Sequence, residues 1–278
     1  MRNISTDSLS KFREYLVNEE KSAATVDKYM RDVTAFVVWI KKNEIDKCDV
    51  LAYKTALVAQ YALTSVNSML SSLNAFFSFN EWYELKVKTL KIQRRVFAKE
   101  ERELSKSEYT RLLTAAKQKS ERLYLLLQTI CSTGIRVSEL RYVTVDAVKR
   151  GWTEIRLKGK NRTVFLPDRL CGMLNRYIRR KKITSGAVFV TRNGLPLDRS
   201  NIWSEMKSLC KVAGVSAQKV FPHNLRHLFA KTYYGLKKDI VRLADILGHS
   251  SVNTTRIYTM ESGETHRRQI QRLGLLLC

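Results

Sequence analysis

The first third of the chain carries apolar residues at intervals of three and four positions, which is the period of an amphipathic helix. One short stripe lies within residues 9–16, and a longer one lies within residues 26–40. Two further helices are predicted at residues 50–61 and 66–82, each with an apolar face of its own. Stripes of this kind predict the core of a small helical bundle, whose other positions face outward.

A charge-dense stretch without amphipathic order follows the fourth predicted helix, and it indicates a domain boundary. The pattern divides the chain into a helical bundle at residues 1–92, a basic linker at residues 93–103 and a second domain at residues 104–278. Arg94 and Arg95 stand side by side in the linker. We expect them to bind a phosphate backbone, although an ordinary solvated linker would carry the same charges.

The second domain is predicted to be mostly helical with a small antiparallel β-sheet. Ser105 and Glu108 have the spacing of a capping box at the start of its first helix. Residues 152–157 and 163–166 are rich in β-branched and aromatic side chains, and the turn-forming residues 158–162 separate them, which predicts a β-hairpin. The fold class expected for the whole chain is therefore mainly α, with an N-terminal helical bundle domain and a mostly helical C-terminal domain.

The composition points to a partner of opposite charge. The 278 residues include 50 lysines and arginines against 26 aspartates and glutamates, which gives a formal net charge of +24 and a pI near 10.0. Such an excess favours a polyanion. No apolar run approaches the roughly 18 to 20 residues that span a bilayer, and the N-terminus has no apolar core of the signal-peptide type. We therefore expect a cytoplasmic protein that binds nucleic acid and not a membrane.

The sequence does not predict a metal site. The five cysteines are scattered and include no Cys-x-x-Cys pair, so we interpret them as free thiols. His223 and His227 lie close together, but neither a cysteine nor a suitably placed glutamate accompanies them. Chemistry on a phosphodiester would then depend on cationic side chains, and a pair of guanidinium groups can stabilise a phosphate through fixed, bidentate hydrogen bonds.

Four short motifs carry the candidate chemistry. Arg136 follows a glycine in STGIRVSEL, where a new helix is expected to begin. In FPHNLRH a proline marks a helix start, and His223 and Arg226 lie three residues apart on one helical face. His249 follows a helix-ending glycine in LGHSS, and Tyr258 closes TTRIY nine residues later. This set suits the cleavage of a phosphodiester by a tyrosine nucleophile.

In this order and at these separations, the motifs TGIRVSEL, HNLRH, LGHS and TTRIY resemble those of the tyrosine recombinases, or phage-integrase family, and especially its short Xer-like and mobile-element integrases. The resemblance covers essentially the whole chain, because the N-terminal bundle resembles the family's core-site DNA-binding domain. It implies a site-specific DNA recombinase that needs no cofactor or metal. Its partners would be double-stranded DNA recombination sites, on which a homotetramer assembles. Integration or excision of a mobile element and resolution of DNA multimers both fit.

Two other functions share parts of this pattern. A type IB topoisomerase-like enzyme would use the same chemistry, and a DNA-binding regulator with an idle site would use the same fold. The end of the chain favours a recombinase, because Ile270, Leu273 and Leu277 form an apolar stripe in a tail helix. The sequence leaves open whether this tail docks on its own domain or on a neighbouring subunit.

Carried over to this sequence, the resemblance implies that Arg136 and Arg226 clamp the scissile phosphate, while Tyr258 attacks it to form a 3′-phosphotyrosine. A lysine of the hairpin would protonate the leaving 5′ oxygen. Counting back from the Arg-Thr-Val triplet of the hairpin favours Lys158, whereas the Gly-Lys dipeptide favours Lys160. We assign the general acid to Lys158 and expect Lys160 to contact DNA.

The resemblance also implies that His223 and His249 take part in proton transfer and in hydrogen bonds to the phosphate. Glu139 is expected to orient these groups. Arg162, on the predicted hairpin turn, is expected to contact DNA beside the site. His227 is expected to point away from the face of His223, so we interpret it as a structural histidine.

Overall fold

The structure of the protein is a computed structural model, and it divides the chain into two compact units, Met1–Arg94 and Arg95–Cys278. The residues that it describes are 2–92, 103–157, 160–191, 193–258, 267–268 and 270–273. Arg94 and Arg95, for which we expect phosphate contacts, lie outside the described residues, as does most of the predicted linker.

The first unit is a bundle of four helices with a short two-stranded sheet. Its helices are α1 (Thr6–Asn18), α2 (Ala23–Ile40), α3 (Lys47–Gln60) and α4 (Leu63–Phe79), and its antiparallel strands are β1 (Arg2–Asn3) and β2 (Glu44–Ile45). The bundle confirms the helical fold predicted from the apolar stripes. The sheet was not predicted, because strands of two residues carry no readable alternation.

Aromatic side chains form the centre of the bundle. Phe12 of α1 meets Phe76 of α4 edge to face at 5.2 Å between ring centroids, and Phe36 of α2 meets Phe77 at 6.1 Å. All four are fully buried. Burying one such side chain contributes on the order of 1.5–3 kcal/mol, so each of these four residues stabilises the packing of the bundle.

One carboxylate is buried in this bundle. Asp32 accepts a hydrogen bond of 2.6 Å from Lys28 and one of 2.9 Å from the Ser72 hydroxyl. Lys28 is partly exposed, so the ammonium group of this pair keeps access to water. Arg31 Nε lies 3.8 Å from the other carboxylate oxygen, so the buried charge is balanced by two cations and one hydroxyl.

The second unit is mostly helical, as predicted, with one β-hairpin. Its elements are α5 (Lys106–Lys119), α6 (Glu121–Thr133), a 3-10 helix (Val137–Tyr142), α7 (Val145–Arg150), β3 (Trp152–Leu157), β4 (Lys160–Phe165), α8 (Asp168–Lys181), α9 (Arg199–Lys207), α10 (Cys210–Ala213), α11 (Pro222–Lys237), α12 (Ile240–Leu247), α13 (Val252–Thr255) and a last 3-10 helix (Arg256–Tyr258). Ser105 and Glu108 form the predicted capping box of α5.

The hairpin has a shorter connection than the sequence suggested. Strand β4 begins at Lys160, which pairs with Leu157, and the ladder continues with Arg162 opposite Ile155. Only Lys158 and Gly159 remain for the connection, and both lie outside the described residues. The predicted turn at residues 158–162 is wrong because residues with turn propensity also pair in a ladder, and two-residue connections are the commonest in hairpins.

Helix α6 is the central element of the second unit. Its buried side chains pack against α5, α8 and α11. The helix ends at Gly134, whose φ of +64° is in the left-handed region. A β-carbon at this position would collide with the ring of Phe229 on α11, so only glycine lets the chain turn here. After this turn Ile135 returns to the core, where it is fully buried, and Arg136 reaches the site.

No helix among the described residues is long and apolar enough to cross a bilayer. Ile270 and Leu273, from the tail stripe, are exposed. Leu277 lies outside the described residues.

Candidate active site

The segments that carry the four motifs meet at the corner between α6, α11 and α12. Arg136 precedes the 3-10 helix after α6, and Arg226 projects from α11. His249 follows Gly248, which ends α12 at a φ of +63°. Tyr258 ends the last 3-10 helix. The structure thus brings together residues that are more than a hundred positions apart in the sequence.

Arg226 is held by three acceptors. Its Nη1 donates to the carbonyl oxygen of Gly134, while Nη2 donates to Leu247 O at 2.6 Å and to His249 Nε2 at 3.1 Å. Only 3% of the residue is exposed. Burial and the charges of two neighbouring arginines lower the pKa of Arg226 to about 10, so the guanidinium remains charged at neutral pH.

Arg136 lies beside Arg226 but is open to solvent. Its Nη2 donates to Gly248 O at 3.1 Å, next to the Leu247 carbonyl that Arg226 binds, and 38% of its side chain is exposed. Because the two guanidinium groups bind carbonyls of consecutive residues, they lie side by side. An anion in the adjoining cleft, of about 1780 Å³, can meet Arg136 directly.

Glu139 is the buried carboxylate of this site. Its Oε1 accepts from Arg136 Nη1 at 2.8 Å, and its Oε2 accepts from the Arg136 backbone amide at 2.8 Å and from Arg162. Burial alone would raise the pKa of Glu139, but these hydrogen bonds and the two guanidinium charges lower it overall. The carboxylate is therefore charged and holds two arginines in place, a geometry that supports the expected orienting role.

Arg162 lies inside the site and not on a DNA-facing turn. Only 9% of its side chain is exposed, and its guanidinium donates to Glu139 and to the carbonyl oxygen of Ile246. The predicted turn position is wrong, because Arg162 lies on β4 and shares a face with the buried Val164. The DNA contact expected of Arg162 stays a prediction. Alternation along β4 could have identified this inward position from the sequence. Gly248 fits against it, because a β-carbon there would collide with Arg162 Cδ.

Three histidine rings surround Tyr258, whose exposure is 2%. The ring of His249 stacks on it at 5.9 Å and 16°, and that of His223 lies at 6.5 Å. His227 packs against it edge-on at 4.9 Å, so the expectation that this residue points away is wrong. Residues four apart on a helix share a face, and His227 is four positions after His223.

The environment lowers the pKa of all three histidines, and burial is the largest cause for each. For His249, burial and the charges of the neighbouring arginines lower it to about 4. For His223, the partial loss of water around the ring and the charges of Arg226 and Arg136 lower it, although the residue as a whole is exposed. Both imidazoles are therefore neutral at physiological pH and can accept protons.

A buried threonine also lies in the site. Thr255, which sequence reasoning did not single out, is fully buried and lies 2.8 Å from His249 Nδ1. Lys158 lies outside the described residues, and of Lys160 only the strand pairing is described. Among the side chains that the structure describes, no group of three His, Cys, Asp or Glu residues could hold a metal ion.

The fold is that of DNA recombinases. A crystal structure of XerA recombinase superimposes with a TM-score of 0.54 and 27% identity, covering 98% of this chain and 99% of that one. XerH site-specific recombinase bound to its difH substrate has a TM-score of 0.71 at 20% identity, covering 97% and 85%. A lambda integrase tetramer bound to a Holliday junction has a TM-score of 0.73 at 17% identity, covering 94% and 80%.

The chain belongs to the phage integrase family. Residues 102–264 match that family, and residues 9–84 match its N-terminal SAM-like domain. Tyrosine recombinase XerA of Pyrococcus furiosus is 28% identical over 286 residues, covering 99% of this chain and 96% of the relative. XerA of Thermococcus kodakarensis is 30% identical, covering 97% and 95%. These likenesses confirm the resemblance read from the four motifs and favour a recombinase over a topoisomerase or an idle regulator.

Proposed function

We propose that this chain cuts and rejoins DNA at specific sites, with Tyr258 as the nucleophile. The observation that carries the proposal is the placement of Tyr258 against neutral imidazoles and beside Arg226. Tyr258 offsets part of the fall in the pKa of Arg226 that burial and the neighbouring arginines cause. The phenolic oxygen forms a bond to phosphorus, the bond to the 5′ oxygen breaks, and a 3′-phosphotyrosyl intermediate results. Religation reverses these steps and needs no other energy source.

Arg136 and Arg226 stabilise the charge that develops on the phosphate oxygens. Each guanidinium is already oriented by backbone carbonyls, so little reorganisation is needed when the charge appears. His223 and His249 accept or donate protons at the tyrosine and the phosphate. Lys158 is the proposed acid for the leaving oxygen, and Lys160 the proposed DNA contact at the hairpin.

The phosphate has to reach two groups that are buried in the DNA-free chain. Arg226 and Tyr258 expose only 3% and 2% of their surface, whereas Arg136 is open. Arg136 is therefore the first contact of the phosphate, and the short helices that carry Tyr258 must shift before the nucleophile is aligned. These helices have four and three residues, which makes a local shift inexpensive compared with movement of α11.

The partner proposed for both units is double-stranded DNA that carries a recombination site, on which four copies of the chain assemble. The net charge of +24 supports the DNA partner, and the match of both family domains supports the two-unit mode of binding. Integration or excision of an element and resolution of DNA multimers use this same assembly. Because its substrate is cellular DNA, we place the enzyme in the cytoplasm.

Covalent capture tests this proposal. The full chain is incubated in EDTA with a pool of nicked duplexes. The nick lets the short cleaved strand dissociate, which blocks religation, and randomised arms let the recognised sequence be selected. Complexes that survive SDS are recovered and their DNA is sequenced. We expect 3′-linked adducts and enrichment of two inverted arms, since a symmetric assembly reads a symmetric site.

The outcomes separate the candidate functions. Adducts without an enriched sequence would indicate a relaxing enzyme of the topoisomerase kind. Binding without any adduct would indicate a regulator. Cleavage that fails in EDTA and returns with Mg²⁺ would place the chain among metal-dependent nucleases and contradict the proposal.

A further inference from the structure

The imidazole of His249 joins two parts of the site. Its Nε2 lies 3.1 Å from Arg226 Nη2, and its Nδ1 lies 2.8 Å from Thr255 Oγ1. Thr255 is fully buried and sits three residues before Tyr258, at the end of α13. One ring therefore connects the segment that bears the nucleophile to an arginine of the phosphate clamp.

The partners determine which nitrogen carries the proton. A guanidinium group has donors only, so His249 Nε2 must accept the hydrogen bond from Arg226. A neutral imidazole with Nε2 unprotonated carries its proton on Nδ1, which then donates to the Thr255 hydroxyl. A second proton on Nε2 would face the guanidinium, and the low pKa of His249 agrees with this conclusion.

We propose that Thr255 is a positioning residue, which holds His249 in the Nδ1-protonated form with the lone pair of Nε2 directed at Arg226. This inference rests on the proposed function and adds to it. When a phosphate oxygen replaces Nε2 as the acceptor of Arg226, the lone pair is released. His249 can then take the proton that Tyr258 gives up as the bond to phosphorus forms, and the leaving 5′ oxygen takes its proton from the hairpin acid.

A matched set of variants separates the hydrogen bond from simple packing. Thr255→Val replaces the hydroxyl by a methyl group of similar size, and Thr255→Ser keeps the hydroxyl but removes a methyl group. Thr254→Val makes the same exchange at the preceding residue of α13, which is exposed. If Thr255 only filled space, both of its variants would lose stability and activity, and serine would not rescue.

Adduct formation on the captured nicked duplex is the first measurement. We expect Thr255→Val to slow it on the order of 10²-fold, as for other groups that orient a catalytic imidazole, with DNA binding retained. The rates of adduct formation by Thr255→Ser and Thr254→Val are expected to stay within roughly threefold of the rate of the unaltered chain, since both variants keep a hydroxyl group at position 255. Equal losses in all three variants, or an unchanged rate in Thr255→Val, would overturn the proposal.

The second measurement needs no DNA. Nitrogen-15 chemical shifts of labelled histidines in the full chain distinguish protonated from unprotonated ring nitrogens, and His249 is assigned by the loss of its signals in His249→Gln. We expect Nδ1 protonated and Nε2 unprotonated in the unaltered chain, and a mixture of tautomers in Thr255→Val. Protonated Nε2 in the unaltered chain would overturn the inference. If the unaltered chain forms no adduct, the proposed function is overturned. The tautomer of His249 is still decided by the nitrogen-15 spectrum, because that measurement does not depend on adduct formation.

Discussion

The two units of this protein bury charge in opposite ways. In the N-terminal bundle, the buried Asp32 is matched by the cations of Lys28 and Arg31 and by a hydroxyl. In the second unit, three guanidinium groups, those of Arg136, Arg162 and Arg226, share the single carboxylate of Glu139 and a few backbone carbonyls. The buried charge of the bundle is therefore neutralised by its neighbours, whereas the site holds more positive than negative charge within a short distance.

This difference explains why the interior of the second unit, and not that of the bundle, can bind an anion. Burial and the charges of the neighbouring guanidinium groups lower the pKa of Arg226, and the repulsion between these groups costs stability. An anion that enters the site relieves the repulsion. In the free chain, Arg162 Nε is buried and has no hydrogen-bond partner among the described residues, which is a further sign of an incompletely satisfied site.

The largest expected effect comes from removing a clamp arginine. Arg226→Lys keeps the charge but loses the planar fork that binds three acceptors, so we expect the cleavage rate to fall by about 10²–10³ with DNA affinity nearly unchanged. Arg180→Ala, which removes an exposed arginine paired with Glu121 in the same unit, serves as the control. Single-turnover adduct formation measures both. Equal rates in the two variants would show that the positive charge of the site has no special role.

The next effect compares the two buried carboxylates directly. Glu139→Gln leaves two arginines without a counter-charge, and we expect the second unit to lose about 3–5 kcal/mol of stability. Asp32→Asn leaves Lys28 free to turn to water, so the bundle should lose only about 1–2 kcal/mol. Urea unfolding, followed separately for each unit, measures the losses. Added sulfate should restore more stability to Glu139→Gln than to Asp32→Asn. Equal losses of stability in the two variants would contradict the difference proposed between the two units.

The smallest effect is a dependence of stability on pH. The pKa of His249 is about 4 in the folded chain and near 6.5 when unfolded, so between these values the unfolded state binds a proton that the folded state does not. Stability should therefore fall as the pH drops from about 6.5 towards about 4, by less than about 1.4 kcal/mol per pH unit because the ring is partly solvated. Unfolding at about pH 7 and about pH 5.5 should show a smaller fall for His249→Gln. An equal fall in both chains would assign the effect to other groups.

Helical stripes and motif residues could be predicted because they depend on spacing along the chain. The bundle core follows from such patterns, whereas the meeting of Arg136, Arg226, His249 and Tyr258 was implied by the resemblance of their motifs to those of the tyrosine recombinases. The inward position of Arg162 depends on the alternation of side chains along β4. It was missed because the predicted turn, residues 158–162, included Arg162.

Other features depend on tertiary packing that spacing does not encode. Thr255 becomes a hydrogen-bond partner only because α13 folds back over His249. The contact of His227 with Tyr258 could have been predicted, because His227 lies four residues after His223 and therefore shares its helical face. The expectation that it points away misinterpreted this spacing. Residues that orient other residues are thus the hardest to find from sequence, since their partners are distant along the chain.

The central claim is that Tyr258 forms the covalent bond to DNA, and peptide mapping of the trapped adduct tests it most directly. The adduct from the full chain is digested, and the peptide that carries the nucleotide is sequenced by mass spectrometry, with Tyr258→Phe as the matched variant. The ring of Tyr258 keeps its packing in this variant, so the fold and DNA binding should persist while the adduct disappears. We expect the nucleotide to be attached to Tyr258. Attachment to Tyr233 or Tyr234, or an adduct formed by Tyr258→Phe at the normal rate, would contradict it.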